Sequence, residues 1–221
     1  MSLLFEILNM TGIIAFALSG VLVAIEYELD LFGIAVIAIM TALGGGFIRD
    51  VSLGNTPPSM FTEPKYIIVA FITQLIAVIV FKILDKKINA FNIHKIKGLI
   101  SIFDAIGLAF FTCYGTKVAI DFGYGNNPVL CAIMGLLTGT GGGMLRDVFC
   151  GRKAVVLRKE LYATISIFGA FAYFYLSKLI NPNYAVIICS VLILAVRLIA
   201  VKKRLNIAFK AKGKEYIHSE D

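Results

Sequence analysis

From Thr41 to Gly54 the chain reads "TALGGGFIRDVSLG", and ninety-seven residues later, from Thr138 to Gly151, it reads "TGTGGGMLRDVFCG". Eight of the fourteen paired positions are identical: the Thr, all three Gly of the triplet, the Arg-Asp pair, Val and the closing Gly. A displacement of 95 pairs Gly12 to Ile25 with Gly107 to Ile120, where Gly12, Phe16, Gly20, Val23, Ala24 and Ile25 meet identical partners. The motif therefore repeats together with the segment that precedes it, and the chain is read as two copies of one unit.

The medium in which those copies fold follows from composition. Of 221 residues 59% are hydrophobic and 16% charged, against roughly 25% charged in an ordinary soluble domain, and mean hydropathy is +0.87. Uncharged stretches lie between charges at 7–25, 31–48, 66–81, 98–120, 122–145, 161–177 and 184–196. Most approach the ~20 residues that a helix needs to cross a bilayer. The fourth is interrupted by Asp104 and Lys117, and the last is short unless Arg197 snorkels to the membrane surface. The fold class expected is all-α, a polytopic membrane protein of seven transmembrane helices. Three spans per copy is an odd number, so the second copy enters from the opposite side: an inverted 3+3 repeat plus one helix, an architecture of solute-conducting proteins. The expected organisation is a transmembrane domain over 1–201 (repeat one 1–90, repeat two 95–181, seventh helix 182–201) and a basic cytoplasmic tail over 202–221.

Basic residues orient the spans. Lys82, Lys86, Lys87, Lys95 and Lys97 join spans three and four, Arg152, Lys153, Arg158 and Lys159 join five and six, and Lys202 to Lys214 crowd the tail. All three segments fall on one side, which the positive-inside rule makes cytoplasmic, so the N-terminus is expected outside. The net charge of +7 is then topology plus affinity for anionic lipid, and no nucleic-acid motif accompanies it. Met1 to Glu6 has no basic n-region, so no cleavable leader is expected. Cys113, Cys131, Cys150 and Cys189 lack metal spacing and read as small core residues; His94 and His218 have no metal partner. No cofactor and no resident metal is expected, beyond a bound lipid and permeant ions, and no His–carboxylate or Ser–His set suggests an enzyme.

Three successive glycines each cost about 1 kcal/mol in a helix, so the triplets Gly44, Gly45, Gly46 and Gly141, Gly142, Gly143 are expected to bend or open spans two and five. Lipid cannot satisfy freed backbone groups, which places such breaks against protein or a wet cavity, where loosened carbonyls are cation ligands. The competing reading is close helix packing without conduction. The charged pairs that follow, Arg49-Asp50 and Arg146-Asp147, repeat at the same offset, and packing alone does not require them. Asp104 lies about two turns into span four; symmetry sets it beside Arg146 and sets Asn9 beside Arg49, while the alternative partners of Asp104 are Lys95 and Lys97. These five ionic residues are the expected pore charges or gate.

The doubled "GGGFIRD" and "GGGMLRD" in a seven-span chain resemble the prokaryotic trimeric intracellular cation (TRIC) channel family, whose members are also labelled glycine-transporter-like. The resemblance covers spans one to six. It implies a homotrimer in the prokaryotic inner membrane, one pore within each protomer, permeation of potassium and also sodium, and pore-lining second and fifth helices bent at the glycines. The motif after each triplet departs from that of the animal members, so the resemblance leaves lipid and calcium regulation open. A secondary transporter for a small zwitterion such as glycine uses the same inverted grammar and is the alternative.

Overall fold

The computed structural model describes residues 3–88, 93–158 and 160–203, and the expected tail lies outside them beyond Lys203. The described chain is helical: α1 Leu3–Glu26, α2 Leu31–Ser52, α3 Ser59–Thr62, α4 Pro64–Ile88, α5 Ile93–Ala119, α6 Pro128–Phe149, α7 Val155–Arg158, α8 Glu160–Leu179 and α9 Pro182–Lys202. Six of these are long and apolar enough to cross a membrane. The seventh long helix, α8, has 20 residues, about 30 Å of rise. Short α3 and α7 sit in equivalent places after the two motifs; nothing in the sequence reading anticipated them.

Local chemistry sets the ends. The Asp30 carboxylate accepts from Gly33 N at 2.7 Å, and Asn127 accepts from Leu130 N at 3.0 Å ahead of Pro128 in the first turn of α6, both standard helix starts. The closing glycines of the two motifs, Gly54 and Gly151, have φ of +74° and +67°, the left-handed geometry that terminates a helix most easily at glycine. One boundary differs from expectation. The apolar run 122–145 does not form one span, because α5 ends in a π-turn over Ile120–Tyr124 with Gly123 at φ 94°, and Asn127 restarts the chain at Pro128.

The glycine triplets correct a larger expectation. Neither α2 nor α6 opens: both remain helical through Gly44 to Gly46 and Gly141 to Gly143. The triplets are where α2 and α6 cross. A Cβ on Gly45 would strike the Thr138 carbonyl oxygen, and a Cβ on Gly142 would strike the Thr41 carbonyl oxygen. Those contacts exchange under the 97-residue shift. The same holds for α1 against α5, where a Cβ on Gly12 would enter the Phe111 ring and one on Gly107 the Phe16 ring, with the two rings edge to face at 5.3 Å. Reciprocal contacts of this kind are what a two-fold axis between the repeats requires, as at any isologous interface. Helix association in lipid depends on such close approach, since apolar burial contributes little there.

Around this four-helix centre, α4 packs on α1 and α2, while α8 packs on α5 and α6. The α9 helix closes the other side against α5 and α8 and has no counterpart in repeat one. Exposed Ile68, Phe71, Ile72, Ile76 and Ile79 on α4, and Ile187, Val191 and Leu192 on α9, give the bundle an apolar outer surface suited to hydrocarbon.

Candidate functional site

Two arginine–aspartate sites stand at opposite ends of the bundle. At the first, Arg49 Nε and Nη2 donate to Asp50 Oδ1 at 2.8 and 2.6 Å, and the guanidinium carbon lies 5.4 Å from the Tyr114 ring centroid, within cation–π range. Asp50 Oδ2 accepts from Ser59 N at 2.8 Å. At the second, Arg146 Nε donates to Asp147 Oδ1 at 2.9 Å, and Asp147 Oδ2 accepts from Val155 N at 2.8 Å. Each aspartate thus does two jobs, neutralising the preceding arginine and tying the first residue of α3 or α7 back to the helix end. That second job explains why the pair is repeated as a unit; the sequence reading missed it.

The remainder of the second site has no equal at the first. Arg146 Nη1 lies 2.7 Å from Asp104 Oδ1 and Nη2 3.1 Å from Oδ2, a two-pronged pair of the stronger kind. Ser19 donates to Asp104 Oδ1 at 2.6 Å and accepts from Arg146 Nη1. Asp104 therefore meets Arg146, and Lys97 faces Glu26 at 3.5 Å instead; the side chain of Lys95 lies outside the described residues. Ser19 and Tyr114 are themselves equivalents under the 95-residue shift, each reaching across to the arginine of the other repeat. Arg152 Nη2 adds a contact to Asp147 Oδ1 at 2.7 Å. All of Arg49, Asp50, Asp104, Arg146 and Asp147 are buried.

A cavity opens at each end. The one at the Arg49 end, about 30 Å³, is lined by Asn9, Gly46, Arg49, Asp50, Tyr66 and Tyr114 among others; that is room for about one water. Asn9 thus shares a cavity with Arg49. The one at the Arg146 end, about 440 Å³, is bordered by Glu26, Lys97, Ser101, Asp104, Arg152, Lys153 and Arg197. Between them in depth lie Phe16, after Asn9 and before Ser19 on α1, and Phe111, between Asp104 and Tyr114 on α5. Both rings are buried.

Arg197 departs from expectation. It does not snorkel; it is 3% exposed, lies 4.5 Å from the Tyr162 ring centroid and borders the large cavity. Its place at the end of the last apolar stretch carried no sign of which way it turns. The four cysteines are free and buried. Burial pushes the Cys150 thiol up, in keeping with small core residues. Among the described residues no group of three His, Cys, Asp or Glu is placed to hold a metal.

The sequence model of the family described as glycine transporter matches residues 6–82 and 101–178, the two repeats. The UPF0126 inner membrane protein YadS of Escherichia coli is 33% identical over 204 residues, covering 90% of this chain and 93% of its own length. The UPF0126 membrane protein YvgT of Bacillus subtilis is 37% identical over 164 residues, 74% of this chain and 76% of that one. Among solved structures, a prokaryotic TRIC channel crystallised in KCl superposes with a TM-score of 0.84 at 30% identity, covering 94% of this chain and all (100%) of that one. A structure reported for conductance through TRIC cation channels gives 0.80 at 33% identity, covering 95% and 98%.

Proposed function

The chain belongs to the prokaryotic TRIC channel family, the one that also carries the glycine-transporter description, and we propose that it is a cation channel with a pore in each protomer of a homotrimer. The observation that carries the reading is the pair of cavities at opposite ends of the repeat, each reaching a buried arginine site, on a chain that superposes over nearly its whole length on channels of that family. The pore runs between α1, α2, α5 and α6. Potassium is the expected permeant ion, sodium a second.

The roles of the site residues belong to the same proposal. Gly45 and Gly142 hold α2 and α6 at backbone contact, and Gly44, Gly46, Gly141 and Gly143 flank that crossing. A cation passing there meets carbonyls only if the crossing slides. Arg49 with Asp50, and Arg146 and Arg152 with Asp104 and Asp147, are locally neutral, so neither arginine of the repeated motif repels a cation while its carboxylates stay in place. The N-terminus faces outward, putting the Arg49 end outside and the large basic-rimmed cavity in the cytoplasm, where the tail meets anionic lipid.

Against the transporter alternative, alternating access places the solute near mid-membrane between the repeats, where this structure has close glycine-to-carbonyl approach and edge-to-face phenylalanines. The purified protein in planar bilayers under a potassium chloride gradient tests the choice. Unitary currents reversing near the potassium potential are expected. Silent bilayers together with saturable glycine uptake into vesicles would replace the channel with the transporter.

A further inference from the structure

At the large cavity Arg197 Nε is buried with no hydrogen-bond partner, and no ion pair to Arg197 is formed among the described residues; Glu26 Oε2 also lacks a hydrogen bond, though Lys97 and Arg152 stand at 3.5 and 3.9 Å from that carboxylate. An orphaned ionic group inside a membrane bundle is costly, and in native proteins it calls for an explanation. The same cavity holds the opposite excess. Arg146 has two carboxylates, Asp104 and Asp147, and Asp147 in turn serves two guanidiniums, Arg146 and Arg152. Arg152 Nη1 already stands 3.9 Å from Glu26 Oε2. A different pairing of the same six residues would leave no ion alone: Arg146 with Asp147, Arg152 with Glu26, and Asp104 with Arg197.

We propose that Arg197 is the second guanidinium available to Asp104, and that the cytoplasmic end opens when the Asp104 carboxylate leaves Arg146 and Ser19 for Arg197. Asp104 and Arg197 border one cavity, so the exchange crosses a wet space. Two arrangements that satisfy similar numbers of charges are the bistable element that a gate needs. In the first, the Asp104–Arg146–Ser19 cluster bridges α5, α6 and α1 and shuts the floor of the cavity. In the second, Asp104 is drawn toward α9 and that bridge is gone. Because α9 stands outside the repeat, and Asn9 carries no charge at the equivalent outer position, only the Arg146 end has this choice.

The inference rests on the channel reading for its role in gating, but the capture of Asp104 by Arg197 is measurable without currents. In thermal unfolding of the purified protein, R146Q should lose little, since Asp104 then turns to Arg197, and R197Q alone should lose little because Asp104 keeps Arg146. The double variant R146Q/R197Q orphans Asp104 and should lose far more than the sum. Simple additivity overturns the proposal. In bilayers, R197Q should lower open probability about ten-fold at unchanged unitary conductance, an effect reached by shifting the two-state balance alone. R197K should restore most of it, E26Q should move it the same way as R197Q, and D104N should abolish the difference between Arg and Gln at 197. If R197Q instead raises unitary conductance at unchanged open probability, Arg197 is a fixed charge in the vestibule and the exchange is wrong. Should the wild-type chain pass no current while the unfolding data remain non-additive, the channel reading fails and the carboxylate exchange stands.

Discussion

The Arg49 end and the Arg146 end share one motif, and they differ by a charge on the first helix of each repeat and by Arg152, whose equivalent in repeat one is Asn55. Asn9 and Asp104 occupy equivalent positions, and so do Tyr114 and Ser19. At the Arg49 end the guanidinium keeps one carboxylate and an aromatic face. At the Arg146 end it is clamped between two carboxylates and a hydroxyl. The same backbone thus supports a lightly held arginine at a cavity of about 30 Å³ and a tightly held one at a cavity of about 440 Å³. Symmetry makes the two sites, and the departure from it sets how tightly each arginine is held.

The largest effects should come from breaking the heavier site. Asp104→Asn removes the two-pronged partner of a buried arginine and should cost about 3–5 kcal/mol, whereas removing both charges in D104N/R146Q should cost less than D104N alone. Asn9→Ala at the lighter site should cost under about 1 kcal/mol, within the range of ordinary point changes. Thermal unfolding of the purified protein ranks the three; equal losses at Asn9 and Asp104 would erase the asymmetry.

Next come the glycines, which test what the two ends share. Gly45→Ala and Gly142→Ala each press a methyl group onto a backbone carbonyl that cannot turn aside, and each should cost about 1–3 kcal/mol by overpacking. The two losses should match. Gly46→Ala and Gly143→Ala meet side-chain atoms at 3.5 and 3.6 Å, ordinary contact distances, and should cost less than about 0.5 kcal/mol. A flat profile across the triplet would mean that the crossing is not what the glycines are for.

Asn9→Asp is a smaller and sharper change, since it gives the Arg49 end the carboxylate that it lacks. Single-channel records should then show a second, slower closed state, because Arg49 would be clamped as Arg146 is; an unaltered closed-time distribution would count against equivalence. The smallest perturbation reads topology alone. With the native cysteines replaced, Ser52→Cys and Phe149→Cys, exposed equivalents one repeat apart, should leave function intact and react with a membrane-impermeant thiol reagent from outside and from inside respectively. Labelling of both from one face would contradict the inversion.

The sequence by itself determined a good deal here. Apolar run lengths decide the number of spans, because bilayer thickness is fixed and helix rise is constant, though not the start of the fifth, which the turn before Pro128 sets. The 97- and 95-residue registers decide the repeat, and an odd number of spans decides that it is inverted. The Asp104–Arg146 meeting was also legible, since symmetry leaves a charge in a span few partners. What the glycines do was not legible. A triplet is equally compatible with a broken helix and with a close crossing, and the choice rests on whether another backbone lies against it; Thr138 and Thr41 settle that here in favour of crossing. The second task of Asp50 and Asp147, holding Ser59 and Val155, depends on loop geometry with no spacing rule. Arg197 was the clearest case. At the end of an apolar stretch an arginine can turn to the membrane surface or into the bundle, and the difference is a side-chain rotation that periodicity does not encode. Only the packing of α9 against α5 and α8 turned it toward Tyr162 and the cavity, because a buried guanidinium goes where an aromatic face and water are both within reach.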